Sequence, residues 1–556
     1  MTKGSPTKKD HRHGRRRIAL GVTGVCLALC GLLCGLMWES ILNTLLDKAM
    51  VLRPNSKIFD FWKSPPLEVN LDFYLYNWTN PGDFRNLSTK PILQQVGPYR
   101  FTESPNKVDI RWHPQNASVS YRRQSNFKFI GDGSEGRSLS DPIVTLNPVA
   151  LAAAGIAKRC NYMRRGMIDL ALKIYGDDIS VTKTVDELLF SGYNDVLLDV
   201  LNAMPRLLRN IEVPFDKFGY CYTRNGSSTL MGQYNIFTGA DDISKIGQVH
   251  TWNHKQHTGK FRSHCGLING SAGEFQPPKL QANGIANIFI PEICRTIPLE
   301  YEDTVKVQGV RGFKYIGGLR AVDNGTLYPE NKCFCGDQCV RSGVMNLSSC
   351  WYDAPLFMSY PHFYNADPYY AEAVVGQQPN KEQHECFVTL EPRTGFILEV
   401  AARMQLNMLV EPVPYLDLFK NVPRVFFPLL WFEEKILVTP ELAAQLKMWP
   451  AVILVGKVVA AFVLFIGIAL MAWYRMDHNL KRARGTLELQ LTLNGSDQNV
   501  ASEKTSQQTL DTALPVPPAL RSSKTKIVMQ STSIDSGYPA LDEISEQSDG
   551  NNINDE

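Results

Sequence analysis

Half of the twelve cysteines fall within one short stretch of the chain, where they could form disulfides or bind a metal. They are Cys265, Cys294, Cys333, Cys335, Cys339 and Cys350. Three Asn-x-Ser/Thr sequons lie in the same stretch, at Asn269, Asn324 and Asn346. Cysteines at this density beside sequons are typical of an oxidising, glycosylating compartment, so we expect disulfides. A zinc site is the alternative, although a C-x-C…C spacing among sequons suits a secreted segment better.

The spacing of these cysteines restricts their pairing without deciding it. Cys333 and Cys335 flank one residue, so on an extended segment both side chains leave the same face, and a disulfide between them would be strained. We therefore expect them to take separate partners. Cys339 follows Cys335 through the turn-like run Gly336-Asp337-Gln338, which could close a small loop. Six cysteines allow many pairings, and the spacing leaves these open.

Three histidines are spaced as zinc ligands on a helix would be. His250, His254 and His257 would place their imidazoles on one helical face. However, Thr251-Trp252-Asn253 and Thr258-Gly259 disfavour a helix, and no fourth ligand is evident. We expect an ordinary polar loop here, with a sensor of endosomal pH as the alternative.

Charge and motif content exclude several classes of function. The chain has 58 Lys and Arg against 55 Asp and Glu, which indicates no large polybasic domain and no nucleic-acid partner. It contains no P-loop, no G-x-S-x-G elbow and no H-E-x-x-H motif, and no cysteine has an evident paired histidine. We therefore expect a protein that is not an enzyme, with no catalytic residue, no cofactor and no metal site.

Two apolar runs determine the expected topology. Residues 18–37 are uncharged, and residues 452–473 are interrupted only by Lys457, about one turn inside the run, where its ammonium can reach the interface. Three arginines precede the first run and four basic residues follow the second, which places both termini in the cytosol. The exit Met37-Trp38-Glu39 lacks a small-x-small cleavage pattern, so we expect a retained span rather than a signal peptide.

Composition divides the chain into five segments. They are a cytosolic basic arm at 1–17, a transmembrane helix at 18–38, a lumenal or extracellular ectodomain at 39–450, a second transmembrane helix at 451–474 and a disordered cytosolic tail at 475–556. Within the ectodomain, short alternating strands are expected from about residue 57, and the disulfide-rich stretch covers 265–350. Residues 147–209 are helical in pattern, with Asn147-Pro148 as an N-cap signal and Thr184 to Glu187 as a capping box.

Two groups of side chains are candidates for binding partners. Lys158, Arg159, Arg164 and Arg165 lie in the helical region, where they could capture anionic cargo; the alternative is a solvated helix surface. In the tail, Tyr538 and Leu541 have the spacing of a tyrosine-based signal read by a clathrin adaptor.

The expected topology also assigns the sequons and the remaining cysteines. The sequons expected to carry glycan are Asn77, Asn86, Asn116, Asn225, Asn269, Asn324 and Asn346. Asn494 would be cytosolic and unmodified. Cys160, Cys221 and Cys386 are three further lumenal cysteines, so at least one is free or pairs between chains, and a homo-oligomer stays open.

Many ordered motifs between about residues 40 and 475 resemble the class B scavenger receptor family, which includes the lysosomal integral membrane protein and the insect sensory-neuron membrane proteins. The motifs are Asn80-Pro81, Gly97-Pro98-Tyr99, Gly192-Tyr193-Asn194-Asp195, Phe237-Thr238-Gly239, Pro291-Glu292-Ile293-Cys294-Arg295, Cys333-Phe334-Cys335, Ala354-Pro355-Leu356-Phe357, Pro361-His362-Phe363-Tyr364-Asn365-Ala366-Asp367-Pro368 and Leu429-Leu430-Trp431-Phe432-Glu433. The two tails are not covered.

The resemblance implies an α+β fold: a large ectodomain between two terminal transmembrane helices, with an antiparallel β-barrel core, an apical helical bundle and an internal apolar tunnel for lipid. It also implies the disulfides Cys265–Cys333, Cys294–Cys350 and Cys335–Cys339. In the fatty-acid-binding members, apical lysines lie just before the last bundle helix. Here that region reads Ile174-Tyr175-Gly176-Asp177-Asp178, so the choice of ligand does not carry over.

The expected function is that of a membrane-embedded class B scavenger receptor. It would bind lipids, lipoproteins or other polyanionic cargo for lipid transfer or endocytic uptake at the plasma membrane, or at the endosomal or lysosomal membrane. One alternative is a lysosomal or endosomal trafficking receptor for a protein partner. A two-span ligand-gated channel is another, although its spans would need pore-facing polar residues. An ectonucleotidase would need phosphate loops, of which Asp323-Asn324-Gly325-Thr326 is a single weak echo.

Overall fold

The computed structural model describes residues 8–65, 67–158, 160–175, 178–203, 216–335 and 339–501. Its helices are α1 (Lys8–Met50), α2 (Lys57–Lys63), α3 (Pro148–Lys158), α4 (Tyr162–Tyr175), α5 (Val185–Leu189), α6 (Val196–Ala203), α7 (Leu319–Val322), α8 (Pro368–Glu372), α9 (Lys381–His384) and α10 (Pro440–Ala501). Its strands are β1 (Glu68–Trp78), β2 (Leu93–His113), β3 (Ser118–Phe129), β4 (Pro142–Leu146), β5 (Ser180–Thr184), β6 (Gln233–Phe237), β7 (Val249–Trp252), β8 (Ile285–Ile290), β9 (Arg295–Val307), β10 (Val310–Ile316), β11 (Val344–Asn346), β12 (Leu356–Ser359), β13 (Phe387–Leu390), β14 (Ile397–Val410) and β15 (Val425–Leu437).

One antiparallel sheet curls until its two edges almost meet. The strand order is β7-β6-β3-β2-β1-β15-β14-β13-β10-β9-β8, with β12 and β11 joined to β14. Ser271 forms single bridges to Gln248, next to β7, and to Ile288 in β8. The sheet is therefore a nearly closed barrel, and this confirms the expected fold class of an α+β ectodomain between two terminal apolar helices. Closure protects the edge strands from pairing with other chains.

Alternation along the strands decides which side chains face the interior. In β1, Leu71, Phe73 and Leu75 are buried on one face. Asp72, between them, points the other way and pairs with Arg100 at 2.5 Å. Side chains of directly opposed residues share a face, so the register carries this interior face around the barrel.

A helical cap, made of α3 to α6 with the β4–β5 ribbon, covers one end of the barrel. It packs on Trp78 at the end of β1 and Val425 at the start of β15, which is the end away from α10. The N-cap at Asn147 is confirmed, because its Oδ1 accepts a hydrogen bond of 3.0 Å from the Ala150 backbone N–H. The capping box is confirmed too, since the Thr184 and Glu187 side chains each accept from the other's backbone N–H.

The two terminal helices, each long and apolar enough to cross a membrane, pack against each other. Contact runs along small residues: a Cβ built on Gly31 would lie 2.5 Å from the Leu464 backbone nitrogen. Lys457 reaches Glu39 of α1 at 2.5 Å, and Trp38 donates to the Val452 carbonyl at 3.3 Å. Small residues that let helix backbones approach closely are typical of membrane helix pairs.

The expectation of strands from about residue 57 was wrong for the first residues of that stretch. Residues 57–63 form α2 instead of a strand, because Ser56 caps the helix through the Phe59 backbone N–H at 3.2 Å. The basic arm is helical from Lys8 onward. The part of the tail that the structure describes, as far as Ala501, continues α10, and an i,i+4 ion pair of 3.6 Å between Lys481 and Asp477 supports its early part. Disorder stays a prediction for residues 502–556, which lie outside the described residues. Contacts divide the chain into units Met1–Tyr474 and Arg475–Glu556.

Candidate functional site

The barrel interior is the candidate site, because its wall is apolar but incompletely packed. Phe127, Phe129, Phe190, Leu406 and Phe432 are half-buried and contact the interior cores. Leu406 and Phe432 contact two buried clusters, one around Met404 and the other around Phe73. Side chains at interior positions that keep accessible surface can contact an apolar guest without losing their own packing.

The end of the interior nearest α2 is charged. Glu274 lies 2.8 Å from Arg123 and 3.5 Å from Lys107. Burial lowers the pKa of Lys107 to about 8. Burial also acts to raise the pKa of Glu274, but the cations Arg123 and Lys107 hold it below the ordinary value. These ion pairs sit beside Trp62 of α2, whose ring lies 5.3 Å from the Lys107 ammonium.

The four cations of the predicted capture patch do not act alike. The described ones lie on two helices, since α3 ends at Lys158 and α4 begins at Tyr162. Lys158 is ion-paired with Glu411. Arg165 donates to the carbonyls of Ala157 and Lys158 at 3.2 and 3.0 Å, and its guanidinium stacks 4.6 Å above Tyr415.

These contacts leave fewer cations free than the sequence predicted. Arg165 caps the C-terminal end of α3, so its charge serves the fold. Arg164 is half-buried and makes no ion pair with any described residue. Arg159 lies outside the described residues. The capture patch therefore stays a prediction, centred on Arg164.

The outward face of α4 is apolar, which the sequence analysis missed. Met163, Met167, Leu170 and Ile174 recur at spacings of four, three and four residues and are all exposed; Met163 retains 77% of its surface. The opposite side of the helix faces the protein, where Leu172 is buried and Ile168 packs against the same core. Lys173 is exposed at the flank and bridges Asp169 and Asp417, each at 2.7 Å. The 3.6-residue period was the available signal, but it normally marks a buried face.

The cysteines form the pairing that the resemblance implies. The disulfides are Cys265–Cys333, Cys294–Cys350 and Cys335–Cys339. Cys333 ends up in a 3₁₀ turn, Pro329–Phe334, rather than on an extended segment. These pairs leave no thiolate for the zinc alternative; His264 lies near the sulfurs of Cys265 and Cys333, but those sulfurs are bonded to each other.

Three further ectodomain cysteines are unpaired, and the three histidines do not share a helical face. Cys160, Cys221 and Cys386 are all unpaired thiols, and the last two are buried. His250 lies in β7 and His254 in the turn after it, so no helix presents three imidazoles together.

The predicted glycosylation and sorting residues divide between described and undescribed parts. The exposed sequon asparagines are Asn86, Asn116, Asn225 and Asn269, whereas Asn77, Asn324 and Asn346 are half-buried. The Asn324 Nδ2 donates to the Val340 carbonyl at 2.8 Å. Tyr538 and Leu541 lie outside the described residues.

Comparison with known proteins identifies the family. A profile of the CD36 family matches residues 22–477. The chain is 44% identical to Protein peste of Drosophila melanogaster over 460 residues, which cover 82% of each protein. It is 33% identical to scavenger receptor class B member 1 of Bos taurus, covering 76% of this chain and 81% of that protein. It is 32% identical to lysosome membrane protein 2 of Rattus norvegicus, covering 78% of this chain and 87% of that protein. The match spans both apolar helices and the barrel between them, and the chain belongs to the CD36 family.

Proposed function

We propose that this chain is a class B scavenger receptor that binds lipids, lipoproteins or other polyanionic cargo and passes lipid toward the membrane or cargo into endosomes. The observation that carries this proposal is the nearly closed barrel with half-buried apolar side chains on its interior face. Each CH₂ group shielded from water is worth about 0.8 kcal/mol, so an apolar interior can hold an acyl chain. The proposal involves no chemical step and no cofactor.

The proposed topology places the ectodomain outside the cell or in a lumen, with both termini in the cytosol. Basic residues outside each apolar run support this orientation. The plasma membrane is the proposed location, and the endosomal or lysosomal membrane is the alternative, since the relatives include a lysosome membrane protein.

A plug in the barrel tests the conduit. Val400 lies opposite Ile436 on the interior face of β14 and is half-buried, so Val400→Trp should obstruct the interior. We expect uptake of a fluorescent fatty acyl lipid by expressing cells to fall several-fold. The control is Glu399→Trp, one residue earlier on the outer face. Equal uptake by the two variants, at equal surface level, would contradict an interior route.

The capture of anionic cargo is tested at Arg164, which makes no ion pair with any residue that the structure describes. Arg164→Glu should weaken binding of anionic lipid vesicles and make it less sensitive to salt, because exposed charges act over a Debye length of about 8 Å. Lys128→Glu, at an exposed position on the outer face of β3, makes the same change of charge away from α4 and is the control. Unchanged vesicle binding by Arg164→Glu would contradict capture at this position and show that Arg164 belongs to an ordinary solvated helix face.

A second candidate function is favoured by the apolar face of α4. As a trafficking receptor, the chain would bind a protein partner through the exposed apolar side chains of Met163, Met167, Leu170 and Ile174. A contiguous exposed apolar patch is typical of an interaction site. The double substitution Leu170→Glu and Ile174→Glu should then abolish co-transport of that partner while lipid uptake persists. Loss of lipid uptake alone would assign this face to lipid cargo instead.

Delivery to endosomes is proposed to depend on the tail. Tyr538→Ala should raise the ratio of surface to endosomal receptor, and Ser533→Ala, five residues earlier in the same tail, is the comparison. An unchanged ratio would show that the Tyr538 and Leu541 spacing is accidental.

A further inference from the structure

Two glutamates on neighbouring strands meet on the interior face of the barrel. Glu103 of β2 lies opposite Val69 of β1, and Glu434 of β15 lies opposite Leu71 of β1. Val69 and Leu71 are two residues apart and so share a face. Both carboxyl groups therefore lie on the same side of the sheet as the buried Phe73.

Cations and further carboxylates surround this pair. Arg224 lies near Ser125 of β3, because the next residue, Asn225, forms a β-bridge with Ser125. The Arg224 guanidinium donates to Glu292 at 3.1 Å. The neighbouring Arg123 is bound to Glu274. We call the set Glu103, Lys107, Arg123, Arg224, Glu274, Glu292 and Glu434 the interior charge cluster.

The interior charge cluster lacks one positive charge. It holds four carboxyl groups against three cations, and each cation is already ion-paired with Glu274 or Glu292. Among the described residues, neither Glu103 nor Glu434 makes an ion pair. Burial, together with repulsion from Glu103 and Glu292, raises the pKa of Glu434 to about 7, although Arg123 and Arg224 act in the opposite direction.

Glu434 is only partly exposed, on the interior face of the sheet. Its side chain keeps part of its surface accessible, yet protein encloses it deeply enough for burial to be the largest cause of its raised pKa. Phe127, directly opposite Glu103, and Phe432, two residues before Glu434, are half-buried as well. Carboxyl groups and half-buried aromatic rings thus lie side by side on the interior face of the sheet.

A buried hydroxyl without a partner lies beside the interior charge cluster. The Tyr234 side chain is fully buried, and its hydroxyl makes no hydrogen bond with any described residue. The Arg123 guanidinium lies 4.5 Å over its ring, and the charges of Glu292, Glu274 and Arg224 act on it. A buried hydroxyl without a partner costs about 1–3 kcal/mol, which a bound polar group would recover.

We propose that the interior charge cluster binds the headgroup of a single-chain amphiphile that carries one protonated amine, with the acyl chain lying against Phe127 and Phe432. The ammonium would supply the missing positive charge between Glu103 and Glu434. A carboxylate headgroup would meet two like charges and is excluded unless protonated. This inference rests on the proposed entry of lipid into the barrel and specifies which headgroup is retained there.

The headgroup site also gives retention a pH dependence. Protons compete with the ammonium for the Glu103 and Glu434 carboxylates, so amine affinity should fall as the pH drops below about 7. Arg123, Arg224 and Glu292 face the pair as well. The two arginines keep their charges over this range, because burial opposes the charge but the carboxylates around them raise their pKa values further. A receptor that moves from the cell surface into an acidifying compartment would then release its amine ligand there.

Three probes of one chain length test the proposal on the full chain in detergent: hexadecylamine, hexadecanol and hexadecanoate. We expect the amine to bind at least about tenfold more tightly than the alcohol. Glu434→Gln should abolish this preference without changing binding of the alcohol. Glu399→Gln, on the outer face of the barrel, is the matched control and should behave as the unmodified protein does.

The outcomes separate this inference from the proposed function. Equal affinity for amine and alcohol in the unmodified protein, or an amine preference that persists in Glu434→Gln, would overturn the headgroup site while lipid binding stands. Failure of all three probes to bind would overturn both. A melting temperature of Glu434→Gln at or above that of the unmodified protein at neutral pH is the folding control, since the substitution removes a buried charge.

Discussion

The imidazole rings of His362 and His384 stack 4.4 Å apart at an interplanar angle of 16°. Both side chains are buried, with 7% and 3% of their surface exposed. The Nδ1 of His362 accepts from the Gln378 backbone N–H at 3.0 Å, so its Nε2 carries the proton and donates to Gln95 at 2.7 Å. The Nδ1 of His384 accepts from the Asn380 backbone N–H at 2.9 Å. Each ring is thus held neutral, because a protonated ring could not accept.

This pair should make the ectodomain less stable as the pH falls. Burial lowers the pKa of His362 to about 4, and burial with the charges of His362 and Arg403 lowers that of His384 to about 3. The unfolded chain binds these protons near pH 6.5, so the free energy of unfolding should decrease from there downward, by about a tenfold change in the equilibrium per proton and pH unit. His384→Asn, whose carboxamide oxygen can accept from Asn380, should make the melting temperature less pH-dependent between about pH 6.5 and 4.

The exposed His254 provides the control for this experiment. It lies in a turn with φ of 63°, a conformation that asparagine tolerates, so His254→Asn should leave the pH dependence as it is. Parallel melting curves for His384→Asn and the unmodified protein would contradict the account of the stacked pair.

The disulfides should contribute unequally to stability. Cys294 and Cys350 are 56 residues apart, whereas Cys335 and Cys339 are four apart. In the chain-entropy model the longer loop is worth roughly 4 kcal/mol and the shorter roughly 2 kcal/mol. Replacing Cys294 and Cys350 with alanine should therefore lower the denaturation midpoint more than replacing Cys335 and Cys339. The reverse order would show that the short loop stabilises the native state directly.

The contact between the terminal helices should tolerate a methyl group at one glycine and not at another. A Cβ at Gly31 would lie 2.5 Å from the Leu464 backbone nitrogen, but a Cβ at Gly35 would lie 3.5 Å from the Ala460 side chain, an ordinary contact. Gly31→Ala should lower the melting temperature in detergent, at a cost of about 1–3 kcal/mol, and Gly35→Ala should not. Cross-linking of cysteines placed at Glu39 and Lys457 reports whether the helices stay paired; undiminished cross-linking and melting in Gly31→Ala would contradict the close approach.

Glycan occupancy should follow the exposure of the asparagine. We expect full occupancy at Asn86, Asn116, Asn225 and Asn269, and lower occupancy at Asn324, whose Nδ2 is the atom that would carry the sugar and donates to Val340. Asn494 should be bare because it follows the second span. Mass spectrometry of glycopeptides measures this; glycan on Asn494 would overturn the topology.

What the sequence predicted well is encoded within a few residues. Asn147 and the Thr184 to Glu187 box cap helices through backbone groups three positions away, so a local pattern contains the whole interaction. The spans likewise depend only on consecutive apolar residues. The ion pair of Lys158 could not be predicted from a local pattern, because its partner Glu411 is 253 residues away in the sequence and only the fold brings the two together.

The interior charge cluster is only partly visible in the sequence. Tyr99, Phe101 and Glu103 share one face of β2, so the strand places a carboxyl group on an otherwise apolar face. Glu434 repeats the pattern after Phe432 in β15. Such a charge among apolar neighbours marks a site, but only the register through β1 shows that the two charges meet.

The glycine contact between α1 and α10 means that each membrane span depends on the other to cover its exposed backbone. Alone, α1 would turn the backbone around Gly24 and Gly31 toward acyl chains, where it has no side chain to cover it. A shortened product that kept only one span would lose its natural cover and should seek the same surface on a second molecule. Proteolytic loss of the C-terminal span would thus favour oligomerisation of the remaining N-terminal span in the membrane.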